Sequence, residues 1–266
     1  MPEVTSWRSG PLTDRVRCVL APNPGVMTLE GTNTWLLREP GSAEVAVVDP
    51  GPDDAGHIRA VLDAAAADGG RITQIVLTHH HRDHTEAVPG LVHATGAPVR
   101  GGDHDAFDDG ERVRAGDLEI EVVRTPGHTG DSVSFLVPAD KLLLTGDTVL
   151  GRGTTVITAH TGDARGGDLG DYLRTLDLLV ELIDFGRVER IAPGHGPALD
   201  NPGPVLRRLR EHRRGRLDEV RAAVEAGAED VDQVVDAVYG AGANDRRWAA
   251  GQSVRAQLDY LGVSFG

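Results

Sequence analysis

Short, mostly apolar runs closed off by Gly, Pro or Asp recur through the first two hundred positions: residues 35–37, 45–48, 72–77, 118–123, 133–137 and 142–144. Their length and bounding residues predict strands. Between some of them lie stretches of helical periodicity, at 57–67, 84–95 and 169–183. Hairpin-like strand pairs thus mix with strand–helix units, which predicts sheets covered by helices and not a purely parallel barrel. After Asn201-Pro202-Gly203-Pro204 the pattern changes to nearly continuous helix, 205–226, 231–239 and 246–261, broken at Gly227 and at 240–242. The chain therefore divides at residue 204, into a larger domain over 1–204 and a small helical one over 205–266. Leu206, Leu209, Leu217, Val220 and Val224 are the expected inward positions of the first helix. About 60 residues make a marginal core alone, so this unit is expected to dock on the larger one.

The 266 residues are 39% hydrophobic and 26% charged, an ordinary globular balance. No uncharged apolar stretch approaches the roughly 20 residues of a bilayer span. The first ten residues lack the basic start, apolar middle and small-residue cleavage site of a secretory signal. The expected location is the cytoplasm, with no membrane partner. One cysteine, Cys18, excludes an internal disulfide and a multi-thiolate metal site, and is read as a small buried apolar residue. The net charge of −14 argues against uniform attraction to nucleic acid or anionic lipid. It is uneven: residues 205–266 hold ten arginines and ten acidic residues, so 1–204 carry the whole excess. Arg207, Arg208, Arg210, Arg213, Arg214 and Arg216 put six cations into ten positions. They make either a phosphate-tracking surface or a solvated helix paired with the acidic larger domain, the second reading being preferred.

The chemistry concentrates where the strands end. The run 72–77 is followed by Thr78-His79-His80-His81-Arg82-Asp83-His84. Alternate side chains of an extended segment point the same way, so His79, His81 and Asp83 converge while His84 opens the next helix. His128, Asp147 and His195 each follow a later apolar run and sit beside Gly, where loops placed by a rigid sheet carry functional side chains. A lone His at a strand end is ordinarily a hydrogen-bonded surface residue. Five His and two Asp in four such segments point instead to a metal site, and imidazole and carboxylate without Cys suit zinc, manganese or iron. His80 alternates away and is read as a packing or supporting residue. His57, His93, His104, His160 and His212 lack ligand spacing. Asp49, in Val48-Asp49-Pro50-Gly51, is expected to orient the metal loop. Gly151-Arg152-Gly153-Thr154 reads as a turn, and its place after Asp147 makes Arg152 and Thr154 candidate substrate contacts.

These residues carry a resemblance. His79-x-His81-x-Asp83-His84 with His128, Asp147 and His195 is similar to the full seven-residue signature of the metallo-β-lactamase superfamily, over about residues 30–200. The resemblance implies an α+β fold, an αββα sandwich with the metals at one edge. It implies His79, His81 and His128 on a first ion, Asp83, His84 and His195 on a second, and Asp147 bridging. Two divalent cations, zinc being expected, would lower the pKa of a bridging water towards about 7. The implied reaction is hydrolysis of an ester-type bond by that bridging hydroxide, with Asp83 as the catalytic proton acceptor.

Details narrow the resemblance. β-Lactamases of the superfamily carry Cys or no bridging ligand where this chain has Asp147. Only 47 residues separate Asp147 from His195, too few for the domain inserted in the mRNA-processing branch. Residues 22–35, 150–155 and Glu211-His212-Arg213 resemble the β-lactamase-like protein 2 group, in which a small winged-helix-like domain follows the catalytic one. The end at Leu261-Gly-Val-Ser-Phe-Gly266 leaves little length for a two-stranded wing. The implied substrate is single-stranded RNA or a small-molecule acyl thioester or ester, with Arg152, Thr154, His212, Arg213 and Arg214 as candidate contacts and a homodimer as a candidate assembly. Two other classes are weighed: a non-catalytic nucleic-acid-binding module, and a mononuclear iron oxygenase of thiol adducts. Retention of all seven residues speaks against both.

Overall fold

The computed structural model describes residues 7–158, 165–240 and 247–265; His160 and the expected helix start at 246 lie outside them. Six strands form one sheet in the order β1 (Gly10–Pro11), β2 (Val16–Leu20), β3 (Asn33–Leu37), β4 (Glu44–Val48), β5 (Arg71–Val76) and β6 (Val99–Arg100). The second sheet reads, from its far edge, β7 (Arg112–Ala115), β8 (Leu118–Arg124), β9 (Val133–Val137), β10 (Leu142–Gly146) and β11 (Arg190–Pro193). Strand alternation sorts their side chains. Trp35, Leu37, Ala46 and Val48 meet Ile120, Val122, Phe135 and Leu144 in the core between the sheets. Leu36, Val45, Val47 and Ile75 face the other way, as do Leu136, Leu143 and Ile191 from the second sheet. Both outer faces are therefore apolar and take helices, which gives the expected αββα sandwich.

The first sheet is covered by α1 (Ala55–Ala66) and α3 (Val88–Thr95), through Val61, Ala65, Val88 and Leu91. Helix α1 begins two residues before its expected start because Asp54 caps it, its side chain accepting the His57 N–H at 2.7 Å. The single helix expected at 84–95 is instead two, a one-turn α2 (Arg82–Thr85) and α3. Pro89 has no N–H for the Thr85 carbonyl, so a continuous helix cannot pass through it. The second sheet is covered by α4 (Leu169–Asp184), with Tyr172, Leu176 and Leu179 buried on it. Cys18 lies in the inter-sheet core, as expected, and burial pushes its thiol up to about 12.

The last described segment is three helices, α5 (Pro202–Glu225), α6 (Val231–Tyr239) and α7 (Arg247–Leu261). After β11 no strand is present among the described residues, so the wing of the expected winged-helix-like domain is not found there. The proposed boundary at 204 falls inside the first turn of α5. That helix faces two cores: Leu206, Leu209 and Leu217 join the layer over the second sheet, whereas Val220 packs with Val234, Val235, Val254 and Leu258 of α6 and α7. Among the described residues no helix is long and apolar enough to cross a membrane.

Because Leu206 and Leu209 are buried against the larger body, a chain ended at residue 201 should lose about 3–6 kcal/mol of stability from these two side chains alone. The urea midpoint measures it. An unchanged midpoint would show that residues 1–201 hold their core without α5.

Candidate metal centre

Two parallel strand pairs set the positions. In the first sheet β4 and β5 run parallel with Val48 opposite Val76, so Asp49 and the Thr78–His81 loop leave the same edge. In the second, β10 and β11 run parallel with Gly146 opposite Pro193, which places Asp147 beside the loop that carries His195. The sheets close on each other here, and two glycines permit it. A Cβ on Gly146, whose φ is +49°, would sit 2.4 Å from Thr78 Oγ1; one on Gly194 would sit 2.5 Å from Asp147 Oδ1 and 2.7 Å from His84 Cε1.

All seven residues named from the signature come together. His79 Nε2 and His128 Nε2 lie 3.1 and 3.0 Å from His81 Nδ1, close to the N···N spacing of about 3.3 Å that a tetrahedral ion with bonds of about 2.0–2.1 Å requires. Asp83 Oδ2 lies 3.1 Å from His195 Nε2 and 3.6 Å from His84 Nε2. Asp147 stands between the two groups, 3.4 Å from His84 Nε2 and His195 Nε2 and 3.8 Å from His128 Nε2. The opposite ring nitrogens are engaged outside the cluster: His84 Nδ1 with Asp49 Oδ2 at 2.9 Å, His128 Nδ1 with the Val156 carbonyl and Thr155 Oγ1 at 2.8 Å, His195 Nδ1 with the Gly31 carbonyl at 3.2 Å. Each of these rings thereby turns its free nitrogen inward. Asp49 also accepts the Thr78 N–H at 2.8 Å and the Thr78 hydroxyl at 2.7 Å, so it braces the loop as expected. His80 points away and pairs through Nδ1 with Asp131 at 2.8 Å.

The titration of the cluster is lopsided. Burial, reinforced by neighbouring imidazoles, holds His79 well below the ordinary imidazole range and His81 at about 4; burial likewise lowers His128. Burial also opposes charge on His84 and His195, but the carboxylates win: Asp83, Asp147 and Asp49 raise His84 well above its ordinary value, and Asp147 and Asp83 bring His195 to about 9. Against the same burial, His84 and His195 hold Asp83 at about 2. The buried atoms His84 Nε2 and Asp147 Oδ1 have no hydrogen-bond partner. The inward lone pairs of His79, His81 and His128, and buried polar atoms without partners beside two carboxylates, fit a divalent cation.

A cavity of about 820 Å³ opens over the cluster. Arg152, Thr154 and His212 line it, as expected, although Arg152 is held by Glu30 at 2.6 Å. Two arginines depart from the expectation. Arg213 reaches the wall but is buried, donating to the Thr155 carbonyl at 2.5 Å with its guanidinium over the Tyr172 ring, so it braces the loop behind His128. Arg214 does not line the cavity; it turns to Asp177 of α4, 3.7 Å away, drawn by that carboxylate. Sequence reasoning missed Val26, Met27, Arg216, Tyr239 and Trp248, which also line the opening.

Residues 27–110 and 103–195 match the metallo-beta-lactamase superfamily. The chain belongs to that superfamily. The similarity runs further than the matched core. A beta-lactamase-like protein 2 homolog of Caenorhabditis elegans is 32% identical over 223 residues, covering 79% of this chain and 70% of its own. An atrochrysone carboxyl ACP thioesterase of Aspergillus fumigatus is 30% identical over 254 residues, covering 86% of this chain and 75% of its own. For fold alone, a beta-lactamase domain protein from Burkholderia ambifaria superposes with a TM-score of 0.79 at 20% identity, over 98% of this chain and 91% of that one.

Two outcomes follow for this superfamily member. A divalent ion needs neutral rings at both His84 and His195, which hold protons at pH 7. Ion uptake by their half of the cluster should release two protons, and affinity should rise from pH 7 towards pH 9. Calorimetric titration with zinc in two buffers of different ionisation enthalpy counts them; no release would contradict the charge assignment. Asp49→Asn removes the charge facing His84 Nδ1 and should weaken zinc binding about 10- to 100-fold, as measured by chelator competition.

Proposed function

We propose that the chain is a metal-dependent hydrolase of acyl thioesters. One observation carries the choice over RNA: the arginines of α5 are occupied. Arg207 pairs with Asp184 at 2.5 Å, Arg210 with Asp177 at 2.9 Å, and Arg214 with the same Asp177. Arg213 is spent on the Thr155 carbonyl, and Arg216 on Glu219 and the Val238 carbonyl. Binding a nucleic-acid backbone depends on cations available to its phosphates, and five of the six in this run already have partners. The thioesterase named among the relatives supports the same reading.

In this reading His79, His81 and His128 would hold one zinc ion and Asp83, His84 and His195 a second, with Asp147 as a further ligand. The ions would supply Lewis acidity for the acyl carbonyl and for water at neutral pH. The chain's own groups do the rest. Asp83, ionised and beside His195, accepts the proton of the attacking water. Asp49, Thr155 and the Gly31 carbonyl fix the imidazoles from behind, so that no side chain has to reorganise during turnover. The water oxygen bonds to the acyl carbon as its bond to sulfur breaks, and the thiolate leaves into the open cavity and takes up the proton that Asp83 had accepted. The second triad, Asp83, His84 and His195, which lies within mutual ligand reach, has no use in a mononuclear oxygenase.

Elemental analysis should find two zinc ions per chain, and zinc-loaded protein should release thiol from S-acyl-N-acetylcysteamines, followed with a thiol reagent. Asp83→Asn should cut kcat about 10²- to 10⁴-fold at matched metal content, whereas His80→Ala, aimed at Asp131, should change it severalfold at most. Cleavage of single-stranded RNA with no thiol release from any thioester would refute the proposal.

A further inference from the structure

One wall of the cavity has no part in the chemistry just described. Val26 and Met27, between β2 and β3, are 71% and 47% exposed, and Trp248, at the start of α7, is 63% exposed. All three line the opening above the cluster. Single exposed apolar side chains are common, but three large ones around one opening mark a binding surface.

Both sides of this opening are built before anything binds. Asn23 clasps the base of the Val26–Met27 loop: its Nδ2 donates to Thr32 Oγ1 and its Oδ1 accepts the Thr32 N–H, each at 2.9 Å, while Thr28 Oγ1 donates to its carbonyl at 2.6 Å. Gly25 and Leu29 form a bridge across the loop. The tip is thus held in place from its base. Opposite, α7 is anchored by Val254 and Leu258 and by Arg247, which pairs with Asp236 at 2.6 Å and Asp232 at 3.1 Å. Tyr239 completes that side, its ring covered by the Arg216 guanidinium at 4.7 Å. Preformed walls spare a ligand the cost of ordering them.

We infer that Val26, Met27 and Trp248 form the subsite for the acyl group, and that it takes apolar acyl groups of six or more carbons, aryl groups included, in preference to acetyl. This rests on the thioesterase reading. The surface opens onto the cavity whose floor is the His/Asp cluster, so whatever covers it belongs to the molecule being hydrolysed. Of the two halves of a biological thioester, the thiol half is rich in amides and gains nothing from such walls. The acyl half gains about fourfold in binding for each methylene removed from water.

The test uses full-length, zinc-loaded protein with S-acetyl-, S-hexanoyl- and S-benzoyl-N-acetylcysteamine. The thioether S-hexyl-N-acetylcysteamine, which cannot be hydrolysed, serves as a binding probe after chelation of the metal. The hexanoyl-to-acetyl ratio of kcat/KM should be on the order of tenfold or more, expressed mainly in KM. Met27→Ala and Trp248→Ala should each lower that ratio about three- to fivefold and weaken the thioether to the same degree. The thioether should perturb tryptophan fluorescence in the wild type and not in Trp248→Phe. Thioesters hydrolysed without length preference, or ratios unmoved in both variants, would overturn the inference and leave the thioesterase reading standing. Thioether binding that is lost in Trp248→Ala, with no thioester turned over, would keep the apolar subsite and overturn the thioesterase reading. A wild-type dimer that Trp248→Ala splits into monomers, with no thioether binding, would assign the surface to a second copy of the chain and overturn the inference.

Discussion

A carboxylate taken out of water must be met by donors or it neutralises, and at Asp49 that requirement organises everything around it. Its side chain is 2% exposed at the end of β4, on a backbone turned to φ +51°. Two donors come from Thr78, at the end of the neighbouring parallel strand, and the third from His84 at the head of α2. A single buried group thus ties strand β4, the loop after β5 and helix α2 into one arrangement. Thr78 passes the constraint on, its hydroxyl lying 2.9 Å from His79 Nδ1. Remove the charge and His84 loses the partner that aims its other nitrogen inward.

The same economy appears at the scale of the fold. Each sheet brings to the site a strand–helix–strand unit with a parallel pair, β4–α1–β5 and β10–α4–β11, and the first sheet repeats the plan in β5–α3–β6. The helix that makes the crossover is also the helix that covers the outer face. Parallel pairing puts both strand ends of a unit at one edge, so four loops converge there from only two units. Helices α5 to α7 extend this plan from the second sheet's side. The first half of α5 completes the cover over that sheet and the second half carries α6 and α7 to the rim of the cavity. Cavity walls and fold stability therefore share one helix.

The seven clustered residues were legible because each is a ligand-type side chain just beyond an apolar strand run, four of them in one six-residue motif and the other three, His128, Asp147 and His195, beside a glycine, a conjunction that survives without any knowledge of sheet order. The clustering of His79, His81 and Asp83 followed from strand periodicity alone, and the same alternation set His80 apart. Other parts were not legible. Strand β7, Arg112–Ala115, alternates exposed and buried but ends in alanine, too small to register as apolar patterning. Helices α2 and α3 read as one because the pattern spans Pro89. Val26, Met27 and Trp248 were invisible for a deeper reason: an exposed apolar residue follows no period, and only the shape of the cavity shows that the three face one opening. The arginines of α5 are the reverse case. Their spacing allowed either a cationic surface or pairing with the larger domain, and the second, preferred reading holds for Arg207, Arg210 and Arg214, but the partners themselves, Asp177 and Asp184, about two turns apart on α4, could not be picked out from the sequence.

The cluster's two halves present different chemistry to an arriving cation. Around His79, His81 and His128 burial has already removed the protons, so three lone pairs stand ready and the desolvation of the rings has been met by folding. Around Asp83, His84 and His195 the carboxylates favour the protonated form of both imidazoles. A cation entering there replaces two protons with one divalent charge facing the same carboxylates, a nearly isoelectric exchange that leaves the packing undisturbed. Asp147, within 3.8 Å of nitrogens from both halves, feels each exchange. The protonated imidazoles thus act as counter-ions to Asp83 and Asp147, against the partial burial that opposes charge on both.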